Sequence, residues 1–253
     1  MNDAISGITN EIVRIMDGRV YGIWLYGSVV LDDFRLGWSD IDFIALTNGK
    51  ISGRQSEKLL TLRQDLLEKE PQNLYYRSFE GIITDLDEYR NQSFTRLVYW
   101  GTSGQQVTDR YVPDPFSAFE LAKFGRTVYG SKPWGFPAPE KKELIRAVRE
   151  HYECIRKYAR QTDESLYSCG WLLDICRCIY TLRNNDVISK TQAGIWALEE
   201  YLFPDEEPLR KALEIREQPL AFKGMESTKQ WLKELGPVIQ RYADVLECEL
   251  LSI

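Results

Sequence analysis

The sequence predicts a two-part chain: an α/β part over residues 1–130 and an all-α helical bundle over 139–253. Three observations predict it. The first half mixes short apolar runs of strand length with stretches of helical periodicity. The segment GSKPWGFPAP, from Gly130 to Pro139, is dense in helix and strand breakers and reads as a link. Every periodic stretch after that link has the helical repeat.

Taken in order, Ile5, Ile8, Ile12, Val13 and Met16 recur at helical spacing, so residues 3–17 read as a helix that Gly18 stops. A strand over 19–26 ends in Gly27-Ser28, and the loop 32–39 leads to a second strand over 40–47, closed by Asn48-Gly49. A polar helix follows over 54–69. Residues 75–84, YYRSFEGIIT, read as a third strand. Residues 86–110 give no clear pattern; Leu97, Val98, Tyr99 and Trp100 there suit cover for the sheet better than a cleft lining. A helix is expected over 115–127. Beyond the link, helices are expected over 139–161, 165–183, 189–203, 207–217 and 225–250, with Ser189 as an N-cap.

Composition narrows the function. The chain is 43% hydrophobic and 28% charged, which suits a globular protein with a proper core. A net charge of −6 argues against holding a nucleic-acid backbone and suits a small cationic partner. No apolar run approaches membrane-spanning length, and the N-terminal stretch MNDAISGITNEIV lacks the pattern of a signal peptide. The five cysteines include no C-x-x-C pair, and four sit in apolar helical contexts. We therefore expect buried free thiols and a reducing cytoplasm. His151 is the only histidine, which disfavours zinc. A monomer is the default expectation.

The chemistry concentrates in LYGSVVLDDFRLGWSDID, residues 25–42. Asp40 and Asp42 flank Ile41 at the start of an apolar strand, and side chains at i and i+2 of a strand share a face. Two carboxylates held that close need a proton or a cation between them. A hard divalent cation such as Mg²⁺, completed by water and substrate phosphates, satisfies them. Gly27 lets the backbone approach a phosphate, and exposed N–H groups with the Ser28 hydroxyl can bind its oxygens. Glu80 lies inside the apolar third strand, and a carboxylate there needs a reason. If that strand lies beside the second, Glu80 joins the two aspartates. Asp85, Asp87 and Glu88 look instead like acids at a helix start.

A Gly-Ser turn followed by about a dozen residues and D-x-D resembles the signature of the nucleotidyltransferase superfamily with a DNA-polymerase-β-like core. LYGS and SDIDF are most similar to the aminoglycoside adenylyltransferases that modify streptomycin and spectinomycin. The resemblance implies an α/β core with a mixed sheet, followed by a helical domain. It implies Mg²⁺ held by Asp40, Asp42 and Glu80, and ATP as co-substrate. Gly27 and Ser28 would bind the β- and γ-phosphates, with Ser39 and Asp114 in the nucleotide-binding set. Glu80, in FEGII, matches the family's catalytic glutamate strand, apart from Gly81, and would be the general base. Asp114, read without the resemblance, is a helix N-cap.

The resemblance continues in the bundle. Arg177, in LLDICRCIY with Tyr180, and Lys190, thirteen residues later, match the family's Arg and Lys that bind the triphosphate. Without it, Arg177 is an ordinary salt-bridged arginine and Lys190 a solvated helix start. The family's acidic D-E-x-N stretch, which helps bind the aminoglycoside, is displaced: its ungapped counterparts are Tyr167 and Ser168. Asp163 and Glu164 come four residues early, and Asp174 lies inside the helix. The expected reaction is Mg²⁺-dependent transfer of AMP to a hydroxyl of an aminoglycoside-type antibiotic, giving resistance. The alternatives are transfer to another small hydroxyl compound such as a lincosamide, or a non-catalytic nucleotide- or partner-binding module.

Overall fold

The structure, a computed structural model, describes residues 1–101, 104–130 and 135–253. They form two compact units: Met1–Asp32 with Asp40–Ala138, and Asp33–Ser39 with Pro139–Ile253. Residues 131–134 of the expected link lie outside the described residues.

The first unit is a six-stranded mixed sheet with helices. Its strands are β1 (Val20–Tyr26), β2 (Ile41–Thr47), β3 (Phe79–Asp85), β4 (Leu97–Gly101), β5 (Gly104–Thr108) and β6 (Arg126–Gly130). Their order is β5-β4-β3-β2-β1-β6. β2 and β3 run parallel; every other neighbouring pair is antiparallel. A parallel pair needs a crossover, and α2 (Gly53–Lys69) supplies it, started by a capping box between Ser52 and Gln55. α1 (Asn2–Ile15) precedes β1, α3 (Leu86–Asn91) follows β3, and α4 (Pro115–Phe124) precedes β6.

One face of the sheet carries Trp24, Ile44, Leu46 and Ile82, packed with Leu86 and Tyr89 of α3, Leu121 of α4, and Phe136. Phe136 meets Trp24 edge-on at 5.1 Å between ring centroids, so this member of the expected link is a core residue. Trp100 of β4 is buried and donates its indole N–H to the Leu59 carbonyl of α2. The reading of Trp100 as cover for the sheet therefore holds. The expected helix over 115–127 ends at Phe124, and Arg126–Gly130 instead pairs with β1.

The second unit is helical: α5 (Lys141–Tyr158), α6 (Tyr167–Asn184), α7 (Lys190–Glu199), α8 (Glu207–Glu217), α9 (Pro219–Phe222), α10 (Glu226–Lys233) and α11 (Gly236–Leu251). α6 is apolar on most of its circumference and packs against α5, α7, α8 and α11. Arg156 of α5 ties α11 by bonds to Asp244 at 2.6 Å and Glu247 at 2.8 Å. The single C-terminal helix expected over 225–250 is two helices, because Gly236-Pro237 ends one and opens the next. All five cysteines are free; Cys169, Cys176 and Cys178 of α6 are buried. Cys154 and Cys248 are exposed, contrary to the expectation of buried thiols, because they sit on outward faces of α5 and α11. No described helix is long and apolar enough to cross a membrane.

Candidate active site

The carboxylates meet at one end of the sheet. Tyr26 of β1 pairs with Asp42 of β2, and Asp42 pairs with Glu80 of β3. Paired residues in adjacent strands share a face, so Asp42 and Glu80 stand side by side. Asp40 precedes β2 by one residue and Asp42 by two, at the same edge of the sheet. The same face continues into the apolar Ile44 and Ile82, which form its floor.

Two glycines make this arrangement possible. Gly27 has φ +67°, and a Cβ there would lie 2.0 Å from Asp42 Oδ2. The turn over Gly27–Val29 is therefore pressed against the Asp42 carboxylate, and only glycine fits. Gly81 has φ +156°, and its Cβ would lie 1.9 Å from the Phe43 carbonyl oxygen. The departure from the family pattern at Gly81 thus has a local cause: β2 and β3 approach too closely there for any side chain. Ser28 Oγ donates to the Asp40 carbonyl at 3.3 Å, which ties the turn to the entry of β2.

Two residues that the sequence did not place in the site join it: Tyr99, read above as cover for the sheet, and Arg63. Tyr99 of β4 donates its hydroxyl to Glu80 Oε1 at 3.0 Å. Burial, followed by the charges of Glu80, Asp40 and Asp42, pushes the Tyr99 phenol up to about 12, so it remains a donor. Arg63 of α2 donates to the Phe79 carbonyl at 2.9 Å. Burial lowers its pKa, and the fields of Glu80 and Asp40 work in the opposite direction. Tyr26 is pushed well above the usual phenol value by burial, with Tyr111, Asp42, Glu120 and Glu80 adding to the shift. Neither place is legible locally: Tyr99 is set by the pairing of β4 with β3, and Arg63 by its bond from α2 to the Phe79 carbonyl.

The neighbouring acids have structural work. Asp85 caps α3 by accepting the N–H groups of Asp87 and Glu88, and it also takes that of Gly49. Glu88 is buried, accepts from the Thr95 hydroxyl and pairs with Lys50 at 3.3 Å. Asp114 accepts from Ser117 N at 3.0 Å and caps α4. Ser39 Oγ accepts from Arg35 N at 3.0 Å, closing the turn before Asp40.

The fit to Mg²⁺ rests on the Asp42–Glu80 register and on the Gly27 backbone that cradles the Asp42 carboxylate. Among the described residues, no three His, Cys, Asp or Glu side chains form a ready-made metal cage. The expected three-carboxylate ligand set is thus not assembled as it stands. The residues fit an ion that takes most of its ligands from water and phosphate, as Mg²⁺ does.

In the helical unit, Arg177 and Lys190 come together on one carboxylate. Lys190 Nζ lies 2.9 Å from Asp174 Oδ1, and Arg177 Nη2 lies 3.7 Å from it. Burial pushes the Asp174 carboxyl up, but Lys190 and Arg177 outweigh it and hold the group below its usual range. Ser189 caps α7 through Gln192 N. The other acids considered for a polyamine are also engaged: Asp163 accepts from Ser165 N and the Ser168 hydroxyl, and Glu164 pairs with Lys233 at 2.7 Å.

Residues 136–240 match the family model for the aminoglycoside adenylyltransferase C-terminal domain. No curated protein matches the chain in sequence. Among solved structures, it is similar to spectinomycin adenyltransferase AAD(9) from Enterococcus faecialis, determined with ATP and spectinomycin. That similarity has a TM-score of 0.68 at 16% identity, over 98% of this chain and 99% of that one. Residues 136–240 are thus similar in sequence to the C-terminal domain of the aminoglycoside adenylyltransferases, and the chain as a whole shares the fold of a solved spectinomycin adenyltransferase.

Proposed function

We propose that the chain transfers AMP from ATP to a hydroxyl of an aminoglycoside-type antibiotic of the streptomycin and spectinomycin class, conferring resistance. The observation that carries this reading is the register of Asp42 with Glu80 beside the Gly27 turn. The similarity to a structure determined with ATP and spectinomycin supports the choice of co-substrate and acceptor.

Glu80 is the general base: it accepts the proton of the acceptor hydroxyl as that oxygen attacks the α-phosphorus. The bond from the α-phosphorus to the bridging oxygen breaks, and pyrophosphate leaves with the bonding pair. Tyr99 holds one Glu80 oxygen, leaving the other for the acceptor proton. The Gly27-Ser28 turn binds the β- and γ-phosphates through backbone N–H groups and the Ser28 hydroxyl. Asp40 and Asp42 would hold Mg²⁺, which when bound supplies charge neutralisation at the phosphates. Lys190 and Arg177 offset the charge of the departing pyrophosphate. Asp174 pairs with both cations and holds them together. Ser39 and Asp114 serve the site through their turns, shaping the approach to Asp40 and the start of α4.

A second acceptor class has one observation in its favour. Glu164 and Asp174 are each paired with a lysine of the protein, so recognition of several ammonium groups is less provided for than in the family pattern. That favours a hydroxyl compound with fewer cationic groups, such as a lincosamide. Mass spectrometry of products from ATP and Mg²⁺ with streptomycin, spectinomycin, a kanamycin-type aminoglycoside and a lincosamide decides between them. An adenylylated aminoglycoside supports the first reading, and an adenylylated lincosamide alone moves the assignment. No product with any acceptor refutes antibiotic modification.

A further inference from the structure

The seven residues between the Gly27-Ser28 turn region and Asp40 are packed in the helical unit, although the chain on both sides of them belongs to the first unit. A buried polar triad holds them there. Asp33, Thr191 and Arg216 are 3%, 7% and 3% exposed. Arg216 Nη2 lies 2.6 Å from Asp33 Oδ2, and its Nε donates to Thr191 Oγ1 at 3.0 Å. Thr191 Oγ1 in turn donates to Asp33 Oδ1 at 2.6 Å, and Thr191 N donates to Asp33 Oδ2 at 3.3 Å. The Arg216 guanidinium also lies over the Trp38 ring, 5.5 Å from its centroid.

A buried ion pair is a weak device for stability, since apolar groups of similar volume usually do as well. What it supplies is fixed geometry, through the planar fork of arginine and the single donor of a hydroxyl. Two elements are fixed here. Asp33 acts as an extra cap on α7, taking the N–H of the residue that follows Lys190. Asp33 also begins a short strap, closed by the bond from Ser39 N to the Arg35 carbonyl at 2.7 Å, that runs directly into Asp40.

We propose that Asp33, Thr191 and Arg216 are positioning residues that set the start of α7, with Lys190, and the strap leading into Asp40 and Asp42 as one piece. The inference rests on the nucleotidyl-transfer reading and adds residues to it that touch neither nucleotide nor acceptor.

The test uses the full chain with Thr191→Val, Thr191→Ser and the double substitution Asp33→Leu with Arg216→Met, which replaces the charges by apolar volume. Hydrogen exchange of residues 34–40 and of the first turn of α7 is measured, together with MgATP affinity. Thr191→Val should speed exchange in both segments by at least about tenfold. It should also weaken MgATP binding by at least about fivefold, measured well below the unfolding temperature of the variant. Thr191→Ser should stay within about twofold of wild type in both, because it keeps the hydroxyl. The folded double variant should share the losses of Thr191→Val. If Thr191→Val keeps wild-type exchange and affinity, the triad is packing only and the proposal is overturned; this holds even if the double variant fails to fold. Failure of the nucleotidyl-transfer reading would show separately, as an absence of product from the wild-type chain.

Discussion

Substituting Gly27 by alanine probes the site at its tightest contact. Two costs can be worked out. A non-glycine residue at the observed left-handed φ of +67° costs about 1–2 kcal/mol. The new Cβ would lie 2.0 Å from Asp42 Oδ2, where ordinary contact begins at 3.4 Å, so the carboxylate has to move. With that displacement included, we expect a loss of about 2–3 kcal/mol. For a chain of this size that is a fall of roughly 4–12 °C in thermal midpoint. Activity should suffer more, since about 1 Å of misplacement costs on the order of 100-fold in rate. The assay is steady-state pyrophosphate release well below the unfolding temperature, beside far-UV circular dichroism. The effect should also be partly non-additive: Gly27→Ala should remove less activity in an Asp42→Asn background than in wild type, because part of it acts through that carboxylate. A Gly27→Ala variant that loses stability as expected but keeps more than about a third of wild-type kcat would refute this reasoning.

Two further outcomes follow from the same geometry. Gly81→Ala should cost about 3 kcal/mol or more by forcing β2 from β3, because its Cβ would lie 1.9 Å from the Phe43 carbonyl oxygen; urea unfolding midpoints read this. The Asp174 carboxyl is held low by Lys190 and Arg177 against the opposing effect of burial. Its contribution to stability is therefore complete above the unfolded value, about 3.9, and is lost as the pH falls through the lower folded value. Asp174→Asn should flatten the dependence of stability on pH below about 4, measured as urea midpoints against pH.

What could be read from the sequence was local. The Gly-Ser turn, the D-x-D pair and the glutamate in FEGII announce themselves within a few residues, and the structure sets Asp42 against Glu80 in register. The parts that escaped depend on distant partners. β4, β5 and β6 are five residues each and exist through pairing with β3, β4 and β1. Tyr99 enters the site only because β4 lies beside β3. Residues 33–39 read as a plain loop because what holds Asp33 lies 158 and 183 residues away, at Thr191 and Arg216. The C-terminal break was visible as Gly236-Pro237, but apolar periodicity on both sides concealed it.

In the proposed reaction Glu80 takes the proton from the acceptor hydroxyl. Pyrophosphate release by Glu80→Gln, measured with the acceptor that wild type modifies, tests it most directly, with MgATP affinity as the control. We expect a fall in kcat of about 10²–10⁴-fold, with affinity within about threefold of wild type. Turnover by Glu80→Gln at a rate near that of wild type would contradict it.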